Sequence, residues 1–301
     1  MRIVLVRHGE SVDNVAGLYA GSRDSALTAH GVLQTRRFAA YLDALPVRTG
    51  SSQTVAVTHI FSSDLQRAFS TASAVLEAQR KRNEGDDARP TEVIKSANLR
   101  ERDFRSGEGM RFGSASSSGG SGGRNAFADA ETWDEMSVRA KRFIDENLDP
   151  LLAEAGEDKE DRRVIVVVAH GIILNVLLSM LLQRYTPSEH TRLLPSPAVG
   201  AGASDRKRLQ LHVPWSNTGY LVINASLAGK TTVPKSDASK EDAEDTCAIQ
   251  LRVTTVNCVD HLDGLKKTRG GIGSARFDPK QKTMDAFFGP SAKRQKRGGD
   301  A

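Results

Sequence analysis

Two segments of this chain follow one plan: Val4-Leu5-Val6-Arg7-His8-Gly9 and, far downstream, Val166-Val167-Val168-Ala169-His170-Gly171. Each is a short aliphatic, largely β-branched run without polar alternation, followed at or near its end by a histidine and a glycine. A strand that is apolar on both faces must be covered on both faces. That is the situation of a central strand in a parallel sheet layered by helices. The repeat constrains fold and site together, because it carries two imidazoles to the C-terminal strand ends where open α/β sheets bind ligands. A lone histidine after a strand is usually structural; two in one local setting, one of them beside an arginine, are harder to dismiss. Glycine after each histidine is expected to let backbone approach a ligand closely.

The rest of the chain alternates in the same sense. Residues 2–6, 55–61, 91–99 and 163–169 read as strands. Thr28 can cap a helix running through Leu33, Phe38 and Leu42. Asp64 starts a second, with Leu65, Ala68, Phe69, Ala72 and Val75 at spacings of three and four. An amphipathic helix is expected over 132–148 and an almost wholly apolar one over 172–182. Residues 209–213 and 220–224 read as paired strands, and 247–256 as a final strand. The expected architecture is α/β: a three-layer fold with a mostly parallel central sheet and helices on both faces. The run GSASSSGGSGG at 113–123 is low-complexity loop, and 230–245 is a charged linker.

Composition narrows the function classes. The longest apolar stretches, 164–169 and 172–182, are interrupted by His170, Gly171 and Asn175, well short of the ~20 residues of a spanning helix. No membrane association is therefore expected, and Arg7 and His8 arrive too early for a secretory leader. Cys247 and Cys258 are the only cysteines, too few for a disulfide framework or a cysteine metal site. Net charge is +5, but residues 265–301 hold ten basic residues against three acidic ones, so the remainder is close to neutral. The expected organisation is a globular domain over 1–264 and a disordered basic tail over 265–301.

Arg7-His8-Gly9-Glu10-Ser11 with Asn14 resembles the opening signature of the histidine phosphatase (phosphoglycerate mutase-like) superfamily. Asp24-Ser25-Ala26-Leu27-Thr28 with Gly31 and Gln34 is similar to its next block. Ser62-Ser63-Asp64-Leu65-Gln66-Arg67-Ala68 with Thr71 resembles the block supplying a second arginine. Leu99-Arg100-Glu101-Arg102-Asp103-Phe104 looks like the block carrying the proton donor, and Ala169-His170-Gly171 with Asn217-Thr218-Gly219 matches the closing blocks. The blocks recur in order across about 1–265. The resemblance implies catalytic roles for His8, Arg7, Arg67, His170 and Glu101, with Asp103 the substitute for Glu101. Asn14, Ser22, Gly9 and Gly171 are expected to line the substrate site.

The chemistry fits these residue types. A phosphate monoester is dianionic, so a neutral imidazole suits attack on phosphorus and gives a phosphohistidine that water can cleave. Arg7 and Arg67 offer planar forks for phosphoryl oxygens, and their charge should keep His8 unprotonated. Arg67, early in its helix, also brings backbone amides toward the anion. Glu101 is the expected leaving-group acid and then the base for water. Neither a cofactor nor a metal is expected, since no cluster has ligand spacing. Hydrolysis is favoured over mutase-type transfer because a Gly/Ser loop stands between Glu101 and His170, where the mutases hold a second phosphate with ordered cations. A catalytically idle interaction module is the contrasting reading. One departure stands out: the family usually has glycine after Phe104, whereas here the run is Arg105-Ser106-Gly107-Glu108-Gly109. Arg105 is expected to narrow the pocket or meet a second anionic group.

The tail carries its own pattern. Gln281, Met284, Phe287 and Phe288 have the spacing of a PCNA-interacting peptide, and Lys293-Arg294-Gln295-Lys296-Arg297 resembles a nuclear import signal. A sliding clamp is the expected partner and the nucleus the expected location, with the cytoplasm as alternative. Nucleic-acid contact by the tail would be without specific readout.

Overall fold

The computed structural model describes residues 1–44, 56–82, 90–113, 127–155, 163–185, 212–227, 249–267 and 271–279. Six strands form one sheet. In chain order these are β1 (Arg2–Arg7), β2 (Ala56–Ser62), β3 (Ile94–Lys95), β4 (Arg163–Ala169), β5 (Tyr220–Leu227) and β6 (Ile249–Cys258), arranged β3-β2-β4-β1-β5-β6. The pairings from β3 to β1 are parallel; β5 joins β1, and β6 joins β5, antiparallel. The sheet is thus mixed with a parallel centre, as the apolar runs require.

Alternation along β1 and β4 shows why neither strand carries a polar face. Ile3, Leu5, Ile165, Val167 and Ala169 pack into one cluster; Val4, Val6, Val164, Val166 and Val168 pack into another on the opposite face. The second cluster is closed by α2 (Ala29–Ala44) through Phe38, Ala39 and Leu42, and by α3 (Gln66–Arg82) through Ala68, Ala72 and Val75. The first is closed by α4 (Trp133–Phe143), α5 (Asp149–Ala155) and α6 (Gly171–Tyr185), the last contributing Ile173, Leu174, Val176, Leu177, Leu178, Leu181 and Leu182. Each fully buried aliphatic side chain of this kind contributes about 1.5–3 kcal/mol. A short helix, α1 (Val12–Ala16), interrupts the first loop, held by a capping box between Ser11 and Asn14.

Local chemistry accounts for the helix ends. The Gly31 amide donates to the Thr28 hydroxyl at 2.9 Å, the expected cap, while Leu33 turns out 47% exposed and leaves the core stripe to Phe38 and Leu42. Thr132 and Glu135 form a reciprocal capping box at the start of α4. The helix expected over 132–148 changes to a π-helical turn at Ile144–Leu148 before α5. Pro150 has no N–H to donate there, and the widened turn accommodates it.

Three expectations are corrected. The strand expected over 91–99 is reduced to Ile94–Lys95, because Ala97–Leu99 turns as a 3-10 helix. Of the strand expected over 209–213, residues 209–211 lie outside the described residues and 212–213 do not pair with 220–224; β5 takes β1 and β6 as neighbours instead. The expected tail does not leave the body at 265. Lys267 pairs with Glu10 at 2.6 Å, the Ala29 amide donates to the Ala275 carbonyl, and the Phe277 amide donates to the Leu27 carbonyl. Backbone bonds to α2 and its preceding loop hold 275–277 where side-chain periodicity gave no sign of it. Most of the Gly/Ser run, the 230–245 linker, and both tail motifs with Gln281, Met284, Phe287 and Phe288 lie outside the described residues.

Candidate active site

Parallel pairing puts Arg7 opposite Ala169, so the chain emerges from β1 and β4 at the same height and the next residue on each is a histidine. The His8 amide donates to the Ala169 carbonyl at 3.0 Å, and the imidazole centroids of His8 and His170 are 5.0 Å apart, inclined at 61°. β2 ends beside β4, and the Ser63 amide donates to the Val168 carbonyl at 3.0 Å. The turn after it places Arg67 in the first turn of α3, 1% exposed. Three parallel strands thus deliver His8, His170 and Arg67 to one edge, with Arg7 as the last residue of β1.

The two imidazoles are held differently. Nδ1 of His8 lies 2.7 Å from the Gly9 carbonyl. A carbonyl can only accept, so Nδ1 carries the proton and Nε2 presents the lone pair. His170 is equally buried, yet neither ring nitrogen has a protein partner. Burial first, and then the Arg67 and Arg7 charges, hold His8 well below the ordinary imidazole range; burial and Arg67 lead for His170.

Both guanidiniums are anchored on carbonyls. Arg7 donates through Nη1 to the Trp215 carbonyl at 2.7 Å, while its Nε is buried without a partner. Arg67 donates to the carbonyls of Arg23 (2.6 Å), Ala20 (2.9 Å) and Gly21 (3.1 Å). Burial lowers both from the ordinary arginine value, with Glu101 opposing in each case. Arginine does not lose its proton in proteins. The site therefore holds two buried cations, with Glu101 the carboxylate acting on both.

Glu101 accepts at Oε1 from the Arg102 and Ile173 amides and at Oε2 from the Ile172 amide, between 2.9 and 3.1 Å. It caps the first turn of α6, immediately after His170-Gly171. Asp103 points elsewhere, accepting from the Ser22 hydroxyl and the Arg105 amide. Of the two candidate carboxylates, Glu101 is the one bonded to the backbone just after His170-Gly171.

The residues expected to line the substrate site divide. Asn14 accepts from the Asn217 side chain at 3.0 Å, and that side chain also donates to the His8 carbonyl, so Asn14 stays at the site. Ser22 is exposed at its rim. At Gly9 the amide donates to the Thr71 hydroxyl, and a Cβ there would meet Thr35 Cγ2 at 2.7 Å and the Gly31 carbonyl at 2.8 Å. Its missing side chain makes room for α2. Gly171 is the reverse case, since its Cβ would meet nothing nearer than Glu101 Oε2 at 3.9 Å. Arg105 is also corrected. It is half-exposed, pairs with Glu135 and has φ +46°, the left-handed region that favours glycine.

Several supporting residues were not legible beforehand. Asn175, buried in the apolar α6, accepts from the Val213 amide and Trp215 Nε1 and donates to the Val213 carbonyl. It fixes the segment whose Trp215 carbonyl holds Arg7. Arg139 forks onto Glu131 and donates to the carbonyls of Asn98, Arg100 and Glu101, fixing the backbone around Glu101. A polar residue interrupting an apolar helix was the available signal for Asn175; Arg139 gave none. Among the described residues, no group of three or more His, Cys, Asp or Glu side chains is placed to hold a metal ion.

Comparison with known proteins identifies the family. The family model for the histidine phosphatase superfamily (branch 1) matches residues 3–198. A probable phosphatase of Schizosaccharomyces pombe is 30% identical over 287 residues, covering 94% of this chain and 78% of its own. A probable phosphoglycerate mutase GpmB of an Enterobacter strain is 30% identical over 247 residues, covering 79% and 98%. Among solved structures, a mycobacterial glucosyl-3-phosphoglycerate phosphatase with VO3 has TM-score 0.55 at 21% identity, covering 85% of this chain and 98% of its own. A phosphoglycerate mutase from Bacillus anthracis has TM-score 0.53 at 19% identity, covering 87% and 95%. At those identities the structural likeness speaks to the fold. The chain belongs to the histidine phosphatase superfamily, branch 1, and is a hydrolase or phosphoryl-transfer enzyme of that kind.

Proposed function

We propose that the chain hydrolyses a small phosphate monoester through a phosphohistidine formed on His8. The observation that carries this reading is a set of buried polar nitrogens with no protein partner. Arg7 Nε and both nitrogens of His170 are orphaned beside the Nε2 lone pair of His8. Leaving such groups unpaired costs about 1–3 kcal/mol each, more for a charge; a bound phosphoryl group would accept from Arg7 Nε and from the single N–H of neutral His170.

In this mechanism His8 Nε2 attacks phosphorus, the ester P–O bond breaks, and the leaving oxygen takes a proton from Glu101. Arg7, Arg67 and His170 donate to the phosphoryl oxygens, whose charge shifts in the transition state. Water then attacks the phosphohistidine, giving its proton to Glu101; the P–N bond breaks and inorganic phosphate leaves. Both half-reactions balance without a metal or cofactor. Hydrolysis is favoured over mutase-type transfer by the partners of the neighbouring cations. Arg23 is paired with Asp13, Arg102 with the Glu131 carbonyl, Arg105 with Glu135 and Arg139 with Glu131. A second phosphate would have to displace these contacts. The S. pombe relative named a probable phosphatase supports the same direction.

The test is a panel of sugar phosphates, nucleotides and phosphopeptides, with phosphate release measured for wild type and His8→Ala. Release that disappears in the variant agrees with the reading; equal rates in both, or transfer between acceptors without release, overturn it. The tail reading rests on sequence spacing: Gln281, Met284, Phe287 and Phe288 would engage a sliding clamp and place the phosphatase in the nucleus. Titration of a peptide spanning 280–289 against the clamp tests it. Unchanged binding after replacement of both phenylalanines by alanine contradicts it.

A further inference from the structure

We propose that Glu108 is a positioning residue for Arg67, acting through the backbone between Ala20 and Arg23; this rests on the reading of Arg67 as a phosphoryl ligand. The Glu108 carboxylate is encircled by main-chain donors: the amides of Gly21 (3.0 and 3.1 Å), Ser22 (3.0 Å), Arg23 (3.3 Å) and Phe104 (2.9 Å). On the other side of the same loop, Arg67 donates to the carbonyls of Ala20, Gly21 and Arg23.

The Ala20 carbonyl and Gly21 amide belong to one peptide unit, and the Gly21 carbonyl and Ser22 amide to the next. Both units are therefore gripped at their N–H end by the anion and at their C=O end by the cation. Peptide dipoles aligned between opposite charges reinforce both contacts, each polarising the other. Three of the five Arg67 N–H groups are spent on this loop, leaving the Nε–H and one Nη1–H for an incoming anion. The loop thus sets the direction of the Arg67 fork, and Glu108 sets the loop. Gly21 is part of the arrangement, since a Cβ there would meet the Arg102 carbonyl oxygen at 1.8 Å and Glu108 Oε1 at 2.6 Å. The Phe104 amide on the same carboxylate ties the loop to the segment that begins with Glu101.

Glu108→Gln puts an amide N–H2 where two carboxylate oxygens received N–H groups, so at least one backbone donor loses its acceptor. The test uses the full chain and measures affinity for inorganic phosphate by calorimetry, with kcat and KM on the best ester. Glu108→Gln, Arg67→Lys and the double variant are compared with wild type. The positioning role predicts phosphate affinity and kcat/KM each about tenfold or more lower in Glu108→Gln. It further predicts that the double variant is no worse than Arg67→Lys, because lysine has no fork left to aim. A purely structural role would lower thermal stability and multiply with Arg67→Lys. Should Glu108→Gln not fold, Glu108→Asp, which withdraws the carboxylate by one methylene, carries the same comparison. Phosphate affinity within twofold of wild type in a folded variant, or full multiplicativity, overturns the positioning role alone. Wild type that neither binds phosphate nor releases it from esters overturns the phosphatase reading as well.

Discussion

The two histidine–glycine pairs look alike in sequence and differ in every contact the fold gives them. At the end of β1, His8 is locked by its own Nδ1 bond to the Gly9 carbonyl, and Gly9 is wedged under α2 with its amide on Thr71. At the end of β4, both nitrogens of His170 are unpartnered, and Gly171 opens α6 with free space beside Glu101. The first pair is a finished structure presenting one lone pair; the second keeps an N–H that the proposed phosphoryl group would meet. On the proposed reading, two strands with the same pattern therefore supply different functions, a fixed nucleophile and a waiting donor.

Substitution of the histidines should separate those roles most strongly. His8→Ala removes the attacking atom and is expected to lower kcat by about 10⁴-fold or more. His170→Ala removes one donor to a phosphoryl oxygen and should cost about 10²–10³-fold. Steady-state phosphate release checks both, and equal losses would dissolve the distinction.

The glycines should differ in sign. Gly9→Ala forces a methyl group against α2 and is expected to destabilise the protein by about 1–3 kcal/mol. Gly171→Ala places a methyl in open space in the first helical turn, where alanine is favoured, and should stabilise by up to about 0.5–1 kcal/mol. Denaturant unfolding of the two variants measures this directly; destabilisation by both would mean that the space beside Gly171 is filled.

Acid should expose what the imidazoles share. Both are held below their ordinary value in the folded state, mainly by burial, and His261 is pushed down to about 4 by the same cause. The unfolded chain binds protons at these positions first. Stability is therefore complete above about pH 6.5 and is lost as pH falls from there toward the folded values. Unfolding free energies measured without phosphate should drop between pH 7.5 and 5, by up to about 1.4 kcal/mol per pH unit for each group. His170→Gln should flatten that slope, and an unchanged slope would contradict the neutral, buried state of His170.

The site elements were legible where local sequence and strand position coincide. An apolar run ending in histidine fixes a strand, its covered faces and the height at which the imidazole emerges, so His8 and His170 could be placed in advance. Arg67 could be placed because it falls in the first turn after a strand. What local pattern does not encode is contact between distant segments. The partner of β5, the contact of 275–277 with α2, and the Asn175–Trp215–Arg7 series each depend on residues far apart in sequence. The packing at Gly9 was hidden for the same reason, because the helix that crowds it arrives through Gly31 and Thr35. Arg105 departs from the glycine usual in the family; its φ of +46° gives the physical reason for that preference.

Arg105 also offers the smallest test. Arg105→Gly relieves the left-handed strain, worth about 1–2 kcal/mol, against an unfolded-state entropy cost of about 0.4–1 kcal/mol. A net gain of about 0.5–1 kcal/mol with kcat/KM unchanged is expected from thermal unfolding and kinetics. Lost activity would show that Arg105 reaches the substrate despite pairing with Glu135.

Covalent capture of the phosphoryl group tests the account at its centre. The full chain is mixed with a phosphomonoester labelled at phosphorus, quenched in base within one turnover, and digested for peptide mapping. The account predicts an acid-labile, base-stable label on the peptide containing His8, absent from His8→Ala and enriched when Glu101→Gln slows hydrolysis. Turnover with no label on any histidine, or label that persists in His8→Ala, would contradict it.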